Sequence, residues 1–247
     1  MEASSAFKRQ NLVKGRQSLK KYYLSQAEAE SYREKRFEDF PMNICNMMEK
    51  QVLDIVLGDK KAGCKKPMEL LDIAAGEGRI SEILCKYGNI TLLENSTNML
   101  KVLLDRFKDN DQNIVVIKGD FLELNLDHLN KRFDVITTFR FIRHFEYLDR
   151  QQIYRRINEL LDDRGIFIFD VPNKYTEIKL RNKLGWENFN IYDVFWTAES
   201  LEQELEMNSF KLNKLFGVGQ YCFKEFLEFD FNLPMSWVAV AEKRHQQ

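Results

Sequence analysis

No run of apolar residues in the 247-residue sequence approaches the roughly 18 needed to span a bilayer, and the opening MEASSAFKRQNLVKGRQ lacks the hydrophobic segment of a secretory signal. A soluble, cytoplasmic protein without a membrane partner is expected. Charge of one sign is also lacking: 37 Lys and Arg against 38 Asp and Glu leave a formal net charge of −1. Such a chain has no long-range field to hold a polyanion, which disfavours nonspecific nucleic-acid binding. The cysteines Cys45, Cys64, Cys85 and Cys222 are scattered, with no CxxC pair, and none of His128, His144 and His245 is placed to complete a zinc site. Reduced thiols and no metal centre are therefore expected. What is present is apolar material, 44% of the residues, enough to bury one sizeable domain with an appendage.

The pattern divides the chain into an N-terminal arm and helical cap over residues 1–66 and an α/β domain over 67–247. In the first part, QAEAESYREKRFEDF from Gln26 to Phe40 is helix-prone. After Pro41, Ile44, Met47, Met48, Val52, Ile55 and Val56 recur at helical spacing up to Gly58, which reads as the helix end. Asp59 to Pro67 reads as a charged loop. Short apolar runs then alternate with amphipathic stretches, as parallel strands joined by crossover helices do. Strands are expected near 69–73, 90–93, 114–117, 133–137 and 165–171, with helices near 79–86, 96–107 and 149–161 between them. A polar, aromatic segment at about 172–199 breaks the rhythm and reads as an insertion over one edge of the sheet. A helix over 200–207 follows, and strands at 210–218 and 236–243, without a crossover helix between them, read as an antiparallel closing pair. Phe216, Phe223, Phe226, Phe229 and Phe231 crowd the tail; core packing or self-association into a homodimer is favoured there over a ligand cage.

The chemistry concentrates where strands end. In Leu70-Leu71-Asp72-Ile73-Ala74-Ala75-Gly76-Glu77-Gly78-Arg79 a strand closes on an acid and two glycines before a helix. Small residues there admit a ligand close to the backbone, and helix-start amides donate to its oxygens, although any tight turn also needs glycine. The next strand ends in Glu94, 22 residues beyond Asp72, a spacing suited to accepting both hydroxyls of a ribose. Ser96 reads as the N-cap of the following helix. A third strand end, Lys118-Gly119-Asp120-Phe121, sets a carboxylate and an aromatic ring where an adenine would lie. The fourth, Thr137 to Phe145, carries Arg140, Arg143 and His144 and should flank a second substrate.

As an ordered set, LLDIAAGEGR, LLENSTNML, KGDF, FDVITTFRFIRHF and GIFIFDVPN resemble the class I S-adenosylmethionine-dependent methyltransferases, over roughly Met68 to Lys243. The resemblance implies a Rossmann-like, doubly wound, mostly parallel seven-stranded sheet with an antiparallel last strand. It implies S-adenosylmethionine as cofactor, with Asp72, Ala74, Gly76 and Gly78 at its methionine end, Glu94 on its ribose and Asp120 and Phe121 on its adenine. Asn95 and Met99 would border the nucleoside, and Phe139 would lie near the sulfonium. Ala74 stands where the family often has the first glycine of its motif, and alanine is expected to fit there in an ordinary backbone conformation. Tyr32 to Phe37 is similar to the cap helix of small-molecule members, so the partner implied is a small-molecule methyl acceptor.

For that acceptor His144 is the candidate general base, beside the alternative of a rim histidine that only packs or hydrogen-bonds. Arg140 and Arg143 suit a carboxylate or phosphate on the acceptor, or surface salt bridges; Arg36 suits the cofactor carboxylate or substrate, or pairing with Glu34 or Asp39. Tyr32 is either part of an aromatic lid or a helix-packing residue. Two other functions compete: a nicotinamide-dependent oxidoreductase, disfavoured because AAGEGR departs from GxGxxG, and a catalytically silent nucleotide-binding scaffold, against which the intact Asp72, Glu94 and Asp120 argue. A nucleic-acid methyltransferase is disfavoured too, because no basic tract with interleaved aromatics lies beyond the N-terminal arm.

Overall fold

The computed structural model describes residues 26–38, 42–109, 113–189, 191–219 and 233–244. The arm with Tyr22 and Tyr23, and Phe223, Phe226, Phe229 and Phe231 of the tail, lie outside the described residues, so the self-association reading does too. Helix α1 (Gln26–Arg33) runs into a single π-helical turn, Glu34–Glu38. Helix α2 (Met42–Ala62) continues through Gly58 rather than ending there. The extra turn follows from Lys60, Lys61 and Ala62, which are good helix formers, with the lysines at the helix's negative end, against a cost of roughly 1 kcal/mol for one interior glycine.

Seven strands follow: β1 (Met68–Ile73), β2 (Gly88–Glu94), β3 (Ile114–Lys118), β4 (Phe133–Thr138), β5 (Leu161–Pro172), β6 (Phe210–Val218) and β7 (Ser236–Lys243). Their order in the sheet is β3-β2-β1-β4-β5-β7-β6. Pairs among β1 to β5 are parallel, whereas β7 runs antiparallel to both β5 and β6. The expected Rossmann-like sheet is present, and β7 alone runs against the rest. Helices α3 (Ser81–Leu84), α4 (Thr97–Phe107), α5 (Tyr147–Leu160), α6 (Lys174–Leu184) and α7 (Ala198–Met207) join the strands. The helix expected over 79–86 is regular only across α3. Around it, Ile83 and Lys86 donate to carbonyls three residues back while Cys85 reaches four back, so the segment mixes tight and wide turns.

Alternate residues of the strands supply two core layers, as a pleated strand requires. Leu70, Leu92, Val135 and Ile168 pack on one side with Leu53, Val56 and Leu57 of α2 and Leu100 and Leu103 of α4. Leu71, Ile73, Ile136 and Phe169 pack on the other with Ile153, Tyr154 and Ile157 of α5 and Leu201 and Leu205 of α7. Each such fully buried side chain contributes about 2 kcal/mol by transfer from water. The second layer also holds a buried ion pair. Arg150 grips Glu204 through two bonds of 2.7 and 2.8 Å, and Tyr154 and Trp196 donate to the same carboxylate. With its acceptors filled, Glu204 ties α5 to α7 without leaving charge exposed to the core.

Because β1 to β5 are parallel, their carboxyl ends share one edge. The order reverses between β1 and β4, which leaves a crevice at that edge. No helix among the described residues is long and apolar enough to cross a membrane.

Candidate functional site

Three neighbouring cavities that share lining residues lie at this edge. The first, about 170 Å³, is lined by Ala74 and Gly76 after β1, Glu94, Asn95, Ser96 and Met99 after β2, Asp120 and Phe121 after β3, and Phe139, Arg140 and His144 after β4. The second, about 50 Å³, lies over the glycine turn against Asp72, Phe37 and Arg79. The third, about 300 Å³, is charged and reaches under α6, with Arg36, Arg143, His144, Arg181 and Asp193 in its wall. Tyr32 and Arg140 border all three.

The turn after β1 is built by backbone strain and by Glu94. Ala74, Gly76 and Gly78 have φ of 57°, 58° and 88°. The expectation that alanine at position 74 keeps an ordinary conformation is therefore overturned: it is held left-handed, at a cost of about 1 kcal/mol that glycine would avoid. Glu94 holds the turn in place: Gly76 N–H donates to one of its oxygens at 2.8 Å and Ser96 N–H to the other at 2.6 Å. A carboxylate offers about four acceptor positions, and these two amides together with that of Asn95 leave at least one for a ligand. Burial raises the Glu94 carboxyl above its ordinary range, while these amide bonds pull it back down.

Asp72 is placed differently from its expected role. It is 1% exposed, it borders only the small cavity, and its two oxygens accept from Ser81 Oγ at 2.6 Å and Thr137 Oγ1 at 2.8 Å. Burial pushes it up to about 6, with the two hydroxyls and Arg79 opposing. Gly78 borders none of the three cavities; a Cβ there would lie 2.8 Å from the Phe107 ring and 2.9 Å from Leu103. Its smallness serves the packing of α4 against the turn. Ser96 caps α4, accepting from Met99 N–H at 3.3 Å, which sets Met99 against the first cavity. Leu122 N–H donates to Asp120 at 2.9 Å, and Phe121, 3% exposed, supplies an apolar wall.

The cap is pinned to the turn by charges that sequence reasoning did not single out. Arg33 of α1 reaches Glu77 at 3.2 Å and Glu82 at 2.9 Å, and Arg106 of α4 grips the same two carboxylates. Arg79 bonds Glu49 and Asn46 of α2 and lies 4.2 Å from the centre of the Phe37 ring. Tyr32 packs edge-on against Phe37 at 5.7 Å, which fixes it above the junction of the cavities. An Arg at the last position of AAGEGR, so unlike a dinucleotide motif, thus has a structural use.

After β4 the chain turns sharply. Arg140 has φ 54°, and its N–H donates to Asp170 at the end of β5; the Arg143 guanidinium donates to the other oxygen of Asp170. Arg143 is 9% exposed, so it is a buried ion-pair partner facing the charged cavity rather than a surface salt bridge. His144 Nδ1 lies 3.1 Å from the Tyr192 carbonyl and 3.0 Å from Asp193 Oδ1. Both neighbours are acceptors, so Nδ1 carries a proton and the lone pair of the neutral ring sits on Nε2. Burial would raise Asp193, but His144, Arg143 and Arg181 outweigh it and hold it at about 2. Neither Tyr192 nor Asp193 was legible as a partner of His144, since 48 and 49 residues separate them. Arg36 stands exposed at the mouth of the charged cavity.

Residues 70–165 match the family described as a methyltransferase domain. A ubiquinone biosynthesis O-methyltransferase of Coxiella burnetii (strain RSA 331 / Henzerling II) is 27% identical over 180 residues, 69% of this chain and 74% of the relative. Among solved structures, the magnesium protoporphyrin IX methyltransferase from Synechocystis PCC 6803 with bound SAH superposes with a TM-score of 0.68 at 14% identity, covering 91% of this chain and 98% of the other. An S-adenosylmethionine-dependent methyltransferase from Clostridium acetobutylicum ATCC 824 superposes with a TM-score of 0.63 at 15% identity, covering 89% and 98%. At these identities the superpositions speak for a shared fold.

Proposed function

We propose that the chain is a class I S-adenosylmethionine-dependent methyltransferase and that it methylates a small-molecule acceptor housed between the first and third cavities. The observation that carries the reading is the shared wall: the ends of β1, β2 and β3 line one cavity, and Tyr32, Arg140 and His144 line both it and a second, charged one. A donor and an acceptor then meet across a single boundary.

The first cavity fits an adenosyl group on its donor set. Glu94, its carboxylate fixed by backbone amides and bordering the cavity, would hold the ribose. Asp120 and Phe121 would take the adenine, and Asn95, Met99 and Phe139 would border the nucleoside. Gly76, whose missing Cβ leaves open space, would let the amino-acid end approach the turn. When bound, S-adenosylmethionine supplies a methyl group on a sulfonium whose departure leaves a neutral thioether. No acid is needed for that leaving group, so the protein's work is alignment and exclusion of water. Tyr32, Phe139 and Phe141 wall the junction for this purpose. Where the acceptor is a hydroxyl or a protonated amine, His144 Nε2 takes its proton, the Nδ1 side being held by Tyr192 and Asp193. The relatives named for O-methyl transfer and for porphyrin methylation support a small-molecule acceptor.

Calorimetric titration with S-adenosylhomocysteine and, in parallel, NADH tests the reading. The homologue should bind and NADH should not; binding of NADH alone would overturn the assignment. Glu94→Gln, which keeps one acceptor oxygen at the turn, should weaken the homologue about tenfold or more, the usual worth of a hydrogen bond to a charged group.

A further inference from the structure

The Arg140 guanidinium is an anomaly. Buried cations are ordinarily hydrogen-bonded, because leaving their donors unmet in a site shielded from water is costly. Arg181 bonds Glu177 and Asp193, Arg143 bonds Asp170, and Arg79 bonds Glu49 and Asn46. Arg140 alone of these four makes no side-chain hydrogen bond among the described residues. Its nearest carboxylate oxygen, Glu49 Oε1, stands 3.6 Å away, and the other oxygen of Glu49 is already taken by Arg79. Nε is buried without a partner, and the side chain is 23% exposed where it borders the three cavities.

The group is also held there deliberately, in the physical sense that its backbone is strained. A non-glycine residue at φ 54° persists only when its surroundings over-determine it, and here the buried carboxylate of Asp170 clamps the Arg140 N–H while it clamps Arg143. The Phe37 ring beneath the guanidinium, 4.9 Å from its centre, holds the plane of the fork. A fixed, planar, always-charged fork with open donors is the geometry that binds a carboxylate through two parallel bonds.

We propose that Arg140 is a specificity-determining residue that binds a carboxylate on the methyl acceptor, so that the substrates of this enzyme are anionic. This rests on the methyl-transfer reading above. The charged cavity is the side from which such a group arrives: Arg36, Arg143 and Arg181 are in its wall, whereas Arg140 is the only arginine bordering the first cavity among the described residues. The carboxylate of an amino-acid moiety on the donor has the same chemistry, and the experiment separates the two sources.

Wild-type protein and Arg140→Met are titrated with S-adenosylhomocysteine and with 5′-methylthioadenosine, which lacks the amino-acid end. Each is then saturated with S-adenosylhomocysteine and titrated with benzoate and with benzyl alcohol. The expected result is that the wild-type complex prefers benzoate at least tenfold, that Arg140→Met removes the preference, and that the affinity of the homologue changes less than threefold. Absence of the preference in the wild type, or its survival in Arg140→Met, overturns the proposal. Loss of the homologue with 5′-methylthioadenosine retained also overturns it, assigning Arg140 to the donor. Should Arg140→Met bind neither nucleoside, Arg140→Lys decides: a reduced benzoate preference supports the proposal and an unchanged one overturns it. Failure of the wild type to bind the homologue at all would instead sink the methyl-transfer reading, a separate outcome.

Discussion

At the scale of single residues, the site combines strain with buried charge, and both have measurable signs. Ala74 sits at φ 57°, so Ala74→Gly relieves the left-handed backbone. Because the greater freedom of glycine in the unfolded chain offsets roughly half of that strain or more, the net gain in urea melts should be no more than about 0.5 kcal/mol. Asp72, pushed up to about 6 by burial, holds its proton more tightly when folded than the ordinary carboxyl of the unfolded chain. Its contribution is therefore fully present below about pH 4 and is lost as pH rises through about 6. Asp72→Asn should stabilise the protein by about 2 kcal/mol at pH 7 and by almost nothing at pH 4, a difference read from melts at the two values. The identity of these residues was legible, because strand-end acids and glycines follow from the pattern of apolar runs. Their conformations were not. That Ala74 is left-handed, that Gly78 faces α4, and that both oxygens of Asp72 are taken by Ser81 and Thr137 depends on neighbours 9 to 65 positions away.

At the scale of elements, the segment after β5 does more than cover the sheet. Its helix α6 supplies Glu177 and Arg181, and the stretch that follows brings Asp193 against His144, an element that the sequence assigns to a different strand end. The polar, aromatic composition of that segment marked it as irregular but gave no hint of its partner. Nitrogen-detected NMR of neutral His144 should show the Nδ1–H tautomer. In Asp193→Ala a mixture of the two tautomers is expected, because only the Tyr192 carbonyl then favours one. The same variant should cost about 3 kcal/mol of stability, since Arg181 loses one of its two carboxylates in a buried site. A dominant Nε2–H form in the parent would remove His144 from the role of base. The lengthened α2 makes the same point more simply: one glycine in a good helix-forming context does not end a helix when the chain beyond it can still pay out regular turns.

For the whole molecule, the sheet order decides where a ligand acts. The walls of the first cavity come from the carboxyl ends of β1, β2, β3 and β4, whereas β6 and β7 lie at the far side of β5. Hydrogen exchange with and without S-adenosylhomocysteine should show protection over 74–80, 94–99, 119–122 and 139–145, and little change in the paired amides of β6 and β7. Uniform protection across the sheet would mean that the ligand acts by global stabilisation rather than at this edge. The cap enters the same coupling, because Arg33 and Arg79 tie α1 and α2 to the turn that the donor would touch.

What the sequence determined by itself is whatever a local rule can specify. Period and punctuation set the strands, the main helices and the antiparallel end. The acid at each of three strand ends, in order, carried the resemblance to the methyltransferases and the expectation of an adenosyl donor. Tertiary structure decided the rest, because the remaining features are meetings between segments distant along the chain. Asp170 seizing Arg140 and Arg143, Asp193 meeting His144, and Glu94 holding the amides of Gly76 and Ser96 all arise from burial. Removed from water, a charge or an amide must find its partner among whatever groups the packed chain brings within 3 Å, and no periodicity records that choice.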